Sequence, residues 1–268
     1  MFGFSDKKKI RVALEPSQRV IAIGDIHGQI DRLTTLMQQV DSYREDNPVK
    51  DDAMVFLGDF ADRGPLSAEV INYLSDRRKQ SKKQNHREVF LKGNHEQLMI
   101  ETLSGDLTRA ELWWKNGGKE TAYSYARFCG FSLEGKDIHQ SLTLMRDHFP
   151  KAHAKFYKKL DLLYRKGPLL FVHAGIRMDK SIKDQNDEDL MWIRAPFLEY
   201  SGPKRKFMVV HGHTIMSGFK PEITPHRISI DTGSYRRKGK ITAAIFENNK
   251  VKFLESGTMT NFKSSPFD

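Results

Sequence analysis

The chain has 268 residues, 38% of them hydrophobic and 29% charged, the balance of a soluble globular protein with material for a sizeable core. No apolar run approaches the roughly 18 residues needed to cross a bilayer, and the opening MFGFSDKKKIRV lacks the apolar stretch of a secretory signal. A single cysteine, Cys129, excludes a disulfide framework and any cysteine-built zinc site, so a reduced, cytoplasmic setting is expected, while a formal charge of +10 favours anionic partners.

Residues 1–18 read as a loose basic arm or an edge strand. Val20–Ile23 then form a short apolar run that stops at Gly24, the mark of a buried strand. Ile30, Leu33, Met37 and Val40 recur at helical spacing over 29–42. Ala53–Leu57 is a second buried strand. A helix follows Pro65, with Val70, Ile71 and Leu74 facing inward. Val89–Leu91 is a third strand, followed by a helix over Glu96–Leu103. Three strand–helix units in succession predict a parallel sheet. Residues 107–166 look helical, interrupted at Gly117-Gly118 and Gly130. Short strands return at Pro168–Val172, Phe207–Val210, Arg227–Ile230, Ile241–Phe246 and Val251–Leu254, and suggest a second sheet packed on the first. The charged stretch 178–206 reads as a functional surface loop. No low-complexity linker divides the chain, so one domain is expected over 1–268.

The chemistry lies where these strands end. The first runs into Gly24-Asp25-Ile26-His27-Gly28, the second into Gly58-Asp59-Phe60-Ala61-Asp62-Arg63-Gly64, the third into Gly93-Asn94-His95-Glu96. Later strands end at His173-Ala174-Gly175, His211-Gly212-His213-Thr214 and Asp231-Thr232-Gly233. Ligands bind outside the carboxyl ends of strands in open sheets. Carboxylate, imidazole and amide oxygen suit divalent manganese, iron or zinc. Two such ions clamp the attacking and leaving oxygens of an in-line displacement and lower the pKa of bound water. Hydrolysis of phosphate esters is the reaction that needs this.

GDIHG, GDFADRG and GNHE resemble the three signature segments of the phosphoprotein phosphatases within the calcineurin-like metallophosphoesterases. HAG, GHT and IDTG are similar to the bacterial and phage branch. The resemblance spans residues 24–233 and implies an α/β fold, a four-layer α/β/β/α sandwich with two mixed sheets. It implies two divalent metal ions, manganese first, sharing a hydroxide: Asp25 and His27 on one ion, Asp59 bridging, and Asn94, His173 and His213 on the other. It makes His95 the general acid, oriented by Asp62, with Arg63 and Arg194 on the substrate's phosphate oxygens. His211 matches no family ligand and is expected to pack or to support the site, and Asp231 to fix the His95 side or a loop. Lys92 stands where the family usually has arginine, which puts a third phosphate contact in doubt. Ala61 replaces a common valine, with little consequence expected.

Other residues admit two readings. Trp113-Trp114-Lys115-Asn116-Gly117-Gly118 is either a buried helix-cap segment or a wall of the cleft. Tyr235 follows IDTG where related phosphatases carry a site tyrosine. Arg236, Arg237, Lys238 and Lys240 form either a solvated turn or a basic rim. His139, His148 and His153 have no carboxylate partner pattern and receive no role; Cys129 reads as a small core residue. The function expected is a serine/threonine protein phosphatase acting on a phosphoprotein or a small phosphoester. The alternatives are a dinucleoside tetraphosphate hydrolase and a non-catalytic phosphoprotein- or nucleic-acid-binding module. The resemblance, through Asp62 and Glu96, implies the phosphatase over the tetraphosphate hydrolase. No membrane partner is expected, and nucleic acid is disfavoured for want of a recognition motif.

Overall fold

Two mixed β-sheets face each other in the computed structural model, which describes residues 8–10, 12–83, 86–106 and 108–257. The described residues up to 83 supply β1 (Lys8–Lys9), β2 (Gln18–Ile23), α1 (Ile30–Asp46), β3 (Asp51–Phe56) and α2 (Ser67–Lys83). β4 (Arg87–Phe90) and α3 (Asn94–Leu103) follow, then α4 (Ala110–Trp113), α5 (Lys119–Cys129), α6 (Ile138–His148) and α7 (Lys151–Tyr157). The second half holds β5 (Leu163–Lys166), β6 (Leu169–Val172), α8 (Asp187–Trp192), α9 (Ala195–Leu198), β7 (Met208–His211), β8 (Glu222–Ile223), β9 (Arg227–Ser229), β10 (Thr242–Glu247) and β11 (Lys250–Glu255).

The first sheet has the order β1-β11-β10-β2-β3-β4, with β2, β3 and β4 mutually parallel and the other pairs antiparallel. The second has the order β5-β6-β7-β9-β8, parallel across β6, β7 and β9. Alternation along each strand divides the core. On β2, Ile21 and Ile23 face the helices α1, α2 and α5–α7, while Val20 and Ala22 face Phe171, Val210 and Ile228 of the second sheet. Leu170, Val172 and Val209 point the other way, against Leu190, Ile193 and Phe197 of the α8–α9 segment. The four layers are therefore α/β/β/α, as the resemblance implies.

Four expectations are corrected. Ile241–Phe246 and Val251–Leu254 do not extend the second sheet. As β10 and β11 they complete the first, β10 lying antiparallel to β2. Both faces of β10 are apolar, Ala243 and Ile245 toward the helices and Ala244 and Phe246 toward the second sheet, so its pattern fits either sheet. Residues 163–166 are strand rather than helix. The 178–206 stretch is no plain loop: Asn186 caps α8 by accepting from the Asp189 N–H at 2.6 Å, and three acids in the first turn complement the helix dipole. Finally, of the two readings of the basic arm, the described residues from Lys8 to Leu14 fit the edge strand and not the loose arm. Lys8 and Lys9 pair with β11, and Ile10, Val12 and Leu14 are buried in the core between the sheets; residues 1–7 and Arg11 lie outside the described residues.

Candidate active site

Parallel strands deliver their C-terminal loops to one edge, and the loops after β2, β3 and β4 are stitched together there. The Ile26 and His27 N–H groups both donate to the Asp59 carbonyl, at 3.0 and 2.9 Å, and the Gly28 N–H donates to the Phe60 carbonyl at 2.8 Å. Glu96, fully buried in the first turn of α3, accepts from the N–H groups of Asp59 and Phe60 at 2.8 Å and of Gly93 at 2.9 Å. Burial, then the nearby Asp59 charge, pushes the Glu96 carboxyl up to about 7. Gly93 is required by space, because a Cβ there would lie 2.2 Å from Asp59 Oδ1. Of eight non-glycine residues with positive φ among those described, four belong to these loops, His27, Asp59, Asp62 and Arg63, and a fifth, His213, to the loop after β7. Such conformations persist only where surrounding contacts enforce them, and they cluster at functional sites.

Asp59 sits at the centre. One carboxylate oxygen lies 3.6 Å from His27 Nε2 and 4.0 Å from His95 Nε2; the other lies 3.4 Å from His173 Nε2. It is the one residue common to two buried groups that could each hold a metal ion among the described residues, His27–Asp59–His95 and Asp59–His173–His213. Asn94 Oδ1 lies 3.0 Å from His173 Nε2 and 2.9 Å from His213 Nδ1, joining the second group. The histidines are oriented by backbone: His27 Nδ1–H donates to the Ala61 carbonyl at 2.9 Å, and His173 Nδ1–H to the Leu57 carbonyl at 2.8 Å. That leaves both Nε2 atoms facing Asp59, the arrangement by which proteins set a metal-binding tautomer.

Asp25 is placed differently from its neighbours. Its carboxylate accepts from the His213 backbone N–H, at 3.0 Å to Oδ2, in room left by Gly212. Burial, with Asp231 and Asp59 close by, holds the Asp25 carboxyl well above its usual range. Burial and Asp59 likewise raise Asp231, to about 6. On His173, burial lowers the pKa but Asp59 overcomes it, lifting it to about 10. Asp59, with Asp25 and Asp231 close by, thus lies among imidazole nitrogens and the Asn94 oxygen, a donor set that fits a pair of divalent cations.

His95 Nδ1–H donates to Asp62 Oδ2 at 2.7 Å. Asp62 is fully buried and also accepts from Trp113 Nε1–H at 3.0 Å and from the Thr121 hydroxyl at 2.7 Å. The Trp-Trp-Lys-Asn-Gly-Gly segment is the buried helix-cap segment, Gly118 capping α5 and Trp113 fully buried, and it also braces the site. Trp113 holds Asp62 from beneath, and Gly117, at φ +105°, gives its carbonyl to the Arg63 N–H at 3.2 Å. A Cβ on Gly117 would meet Arg63 N at 2.4 Å. The Arg63 guanidinium stacks on Tyr235, 4.6 Å from the ring centroid, bonds its hydroxyl, and lies 3.1 Å from His95 Nε2. Arg32 donates to the carbonyls of Ser234 and Gly239 and so holds the turn that carries Tyr235.

A cavity of about 270 Å³ opens over these groups, lined among others by His27, Asp59, His95, Arg63, Arg194 and Tyr235. Arg194, exposed, reaches it from the α8–α9 junction and donates to the Thr214 hydroxyl at 3.2 Å. Asp231 accepts from the Gly233 N–H at 2.9 Å, the loop-fixing role. His211 packs on Phe197 and bonds Ser229, with no place in the cavity lining. Lys92 lines a different cavity behind α3 and is not among the residues lining this one. His153 is buried against Tyr125, and Cys129 is half-buried against the helical core. Thr121 and Arg32 carry no local sequence signal for these supporting roles. Glu96 alone carries a local signal, the third helical position where a carboxylate reaches back to the cap.

An α/β/β/α sandwich with clustered Asp, Asn and His side chains at one strand edge defines a class of metal-dependent phosphoesterases. The chain belongs to that class: residues 18–257 match the calcineurin-like phosphoesterase family, whose members use a dinuclear divalent metal centre. Among its relatives is the asymmetrical bis(5'-nucleosyl)-tetraphosphatase PrpE of Bacillus subtilis, 28% identical, with the match covering 92% of this chain and 95% of that one. Shewanella-like protein phosphatase 1 of Plasmodium berghei is 38% identical over 31% of this chain and 23% of its own length. The cold-active protein-tyrosine phosphatase of a Shewanella species shares the fold, with a TM-score of 0.59 at 16% identity over 93% of this chain and 83% of that one.

Proposed function

We propose that this protein is a single-domain hydrolase of phosphomonoesters, of the serine/threonine protein phosphatase type. The observation that carries the reading is the buried Trp113–Asp62–His95 chain, which aims one imidazole nitrogen into the phosphate cavity. An alkoxide such as that of serine is a poor leaving group and needs a proton as the P–O bond breaks. A polyphosphate leaving group needs it far less.

In this reading Asp25, His27 and Asp59 would hold one ion and Asp59, Asn94, His173 and His213 the other, with manganese favoured over iron or zinc. When bound, the ions supply Lewis acidity and lower the pKa of water. Arg63 and Arg194 bind and orient the phosphoryl oxygens from two sides, their planar charge suited to forked contacts. Tyr235 fixes the Arg63 plane. His95 donates its Nε2 proton to the departing oxygen, and Asp62 holds the ring and stabilises its charged form.

A second reading, hydrolysis of dinucleoside tetraphosphates, is favoured by one observation: the PrpE relatives match along nearly their whole length. The deciding experiment reconstitutes apoprotein with manganese, iron, zinc or magnesium and assays a phosphoserine peptide, p-nitrophenyl phosphate and diadenosine tetraphosphate side by side. Metal-dependent turnover of the peptide is expected. Turnover confined to the tetraphosphate would replace the first reading with the second. Metal-independent DNA retention without hydrolysis would leave a binding module.

A further inference from the structure

A second cavity, about 520 Å³, lies behind α3 and is roofed by α6 and α7. Its volume is within the range of small-molecule sites, roughly 300–1,000 Å³. Its apolar lining comes from Met99, Ile100 and Leu103 on α3, Phe149 between the other two helices, and Leu160. The charged lining is of one sign: Lys92, Arg146, Lys151 and Lys158, with no carboxylate among the residues that form it. None of the four cations forms an ion pair with another described residue, unlike Arg19, Arg44, Arg77, Arg227 and Lys240. The remaining side chains offer only the hydroxyls of Ser104 and Tyr157, too few to read the edges of a nucleobase or a sugar.

We propose that this cavity binds a single-chain amphiphilic anion, its apolar body between α3 and α7 and its headgroup on the unpaired lysines and arginine. Apolar surface supplies the burial and the cations the selection for charge. The site is separate from the phosphate cavity but shares its scaffold. Lys92 precedes Asn94 by two positions, and the helix whose first turn carries Asn94, His95 and Glu96 floors the second cavity with its next two turns. The proposal does not depend on the phosphoesterase reading.

Dodecanoate, below its micelle-forming concentration and not a phosphoester, is the probe, titrated calorimetrically into the full chain. Saturable 1:1 binding is expected, with acetate (head without tail) and dodecyl maltoside (tail without charge) each at least tenfold weaker. The surface double variant Arg146→Glu/Lys151→Glu should weaken dodecanoate at least tenfold with an unchanged thermal melt. Ala154→Phe, which fills the cavity from α7, should remove saturable binding; if it fails to fold, the charge-reversed pair still decides. The proposal is overturned if dodecanoate does not saturate, if dodecyl maltoside binds as tightly, or if the charge-reversed pair binds like the parent. Retention on phosphatidylglycerol vesicles without uptake of monomeric dodecanoate would also overturn it, since that is attraction of a basic surface to a bilayer.

Discussion

The two sheets contribute to the site in different ways. On the side of the first sheet, nearly every functional group is held by several partners. Asp62 accepts three side-chain donors, Asp59 receives the His95 N–H, and Glu96 gathers backbone N–H groups of two loops. On the side of the second sheet the hold is lighter. His173 is tied by the Leu57 carbonyl and by Asn94 Oδ1, His213 Nε2 is buried without a hydrogen-bond partner among the described residues, and Arg194 is exposed with a single side-chain contact to Thr214. On the proposed function, the difference separates the parts that would have to be rigid for bond breaking from those that would meet a substrate. Charged and polar groups aimed at a developing charge act best when fixed beforehand. An arginine on a short-helix segment can close on a phosphoryl group after it arrives.

Mutations can break that comparison. The largest effect is expected for Asp59→Asn, which strips charge from the residue shared by both donor groups. Because even outer partners of metal ligands are worth about 10–100-fold, bound metal should fall from two ions and activity by more than that. Atomic absorption alongside turnover checks it, and full metal content in the variant would contradict the bridging role. His95→Asn should cost about 10²–10⁴-fold in turnover of an alkyl phosphate with metal content unchanged. The loss should shrink on p-nitrophenyl phosphate, whose leaving group needs less help. Equal losses on both substrates would point to a positioning role for His95.

Glu96→Gln tests the rigid side from beneath. An amide presents N–H where backbone N–H groups converge, so the variant should lose about 1–3 kcal/mol of stability together with turnover, read by denaturant melts and kinetics. A stable, slow variant would show that the loops are held by other contacts. The smallest effect is expected on the adaptable side. Arg194→Ala should raise KM about tenfold, an exposed charge-assisted contact being worth around 1 kcal/mol or somewhat more, and should spare kcat. A fall in kcat alone would mean that Arg194 is as preorganised as Arg63.

The parallel β2–β3–β4 core was legible because short apolar runs ending at glycine identify buried strands locally. The donor residues were legible because Asp, His and Asn follow those strands directly, as in GDIHG, GDFADRG and GNHE. What the linear chain could not assign was partnership. β10 is apolar on both faces, and only its pairing with β2 decides which sheet it completes. Charged residues at the start of α8 hid a short helix whose apolar side chains cover the second sheet. Trp113, Thr121 and Arg32 reach Asp62 and the Tyr235 turn from 51 to more than 200 positions away. Short-range sequence thus determined the chemistry available at each strand end, because turn geometry and residue type are local. Which of those groups meet, and what holds them, was decided by tertiary packing, because a buried charge takes its partners from whatever chain segment the fold places beside it.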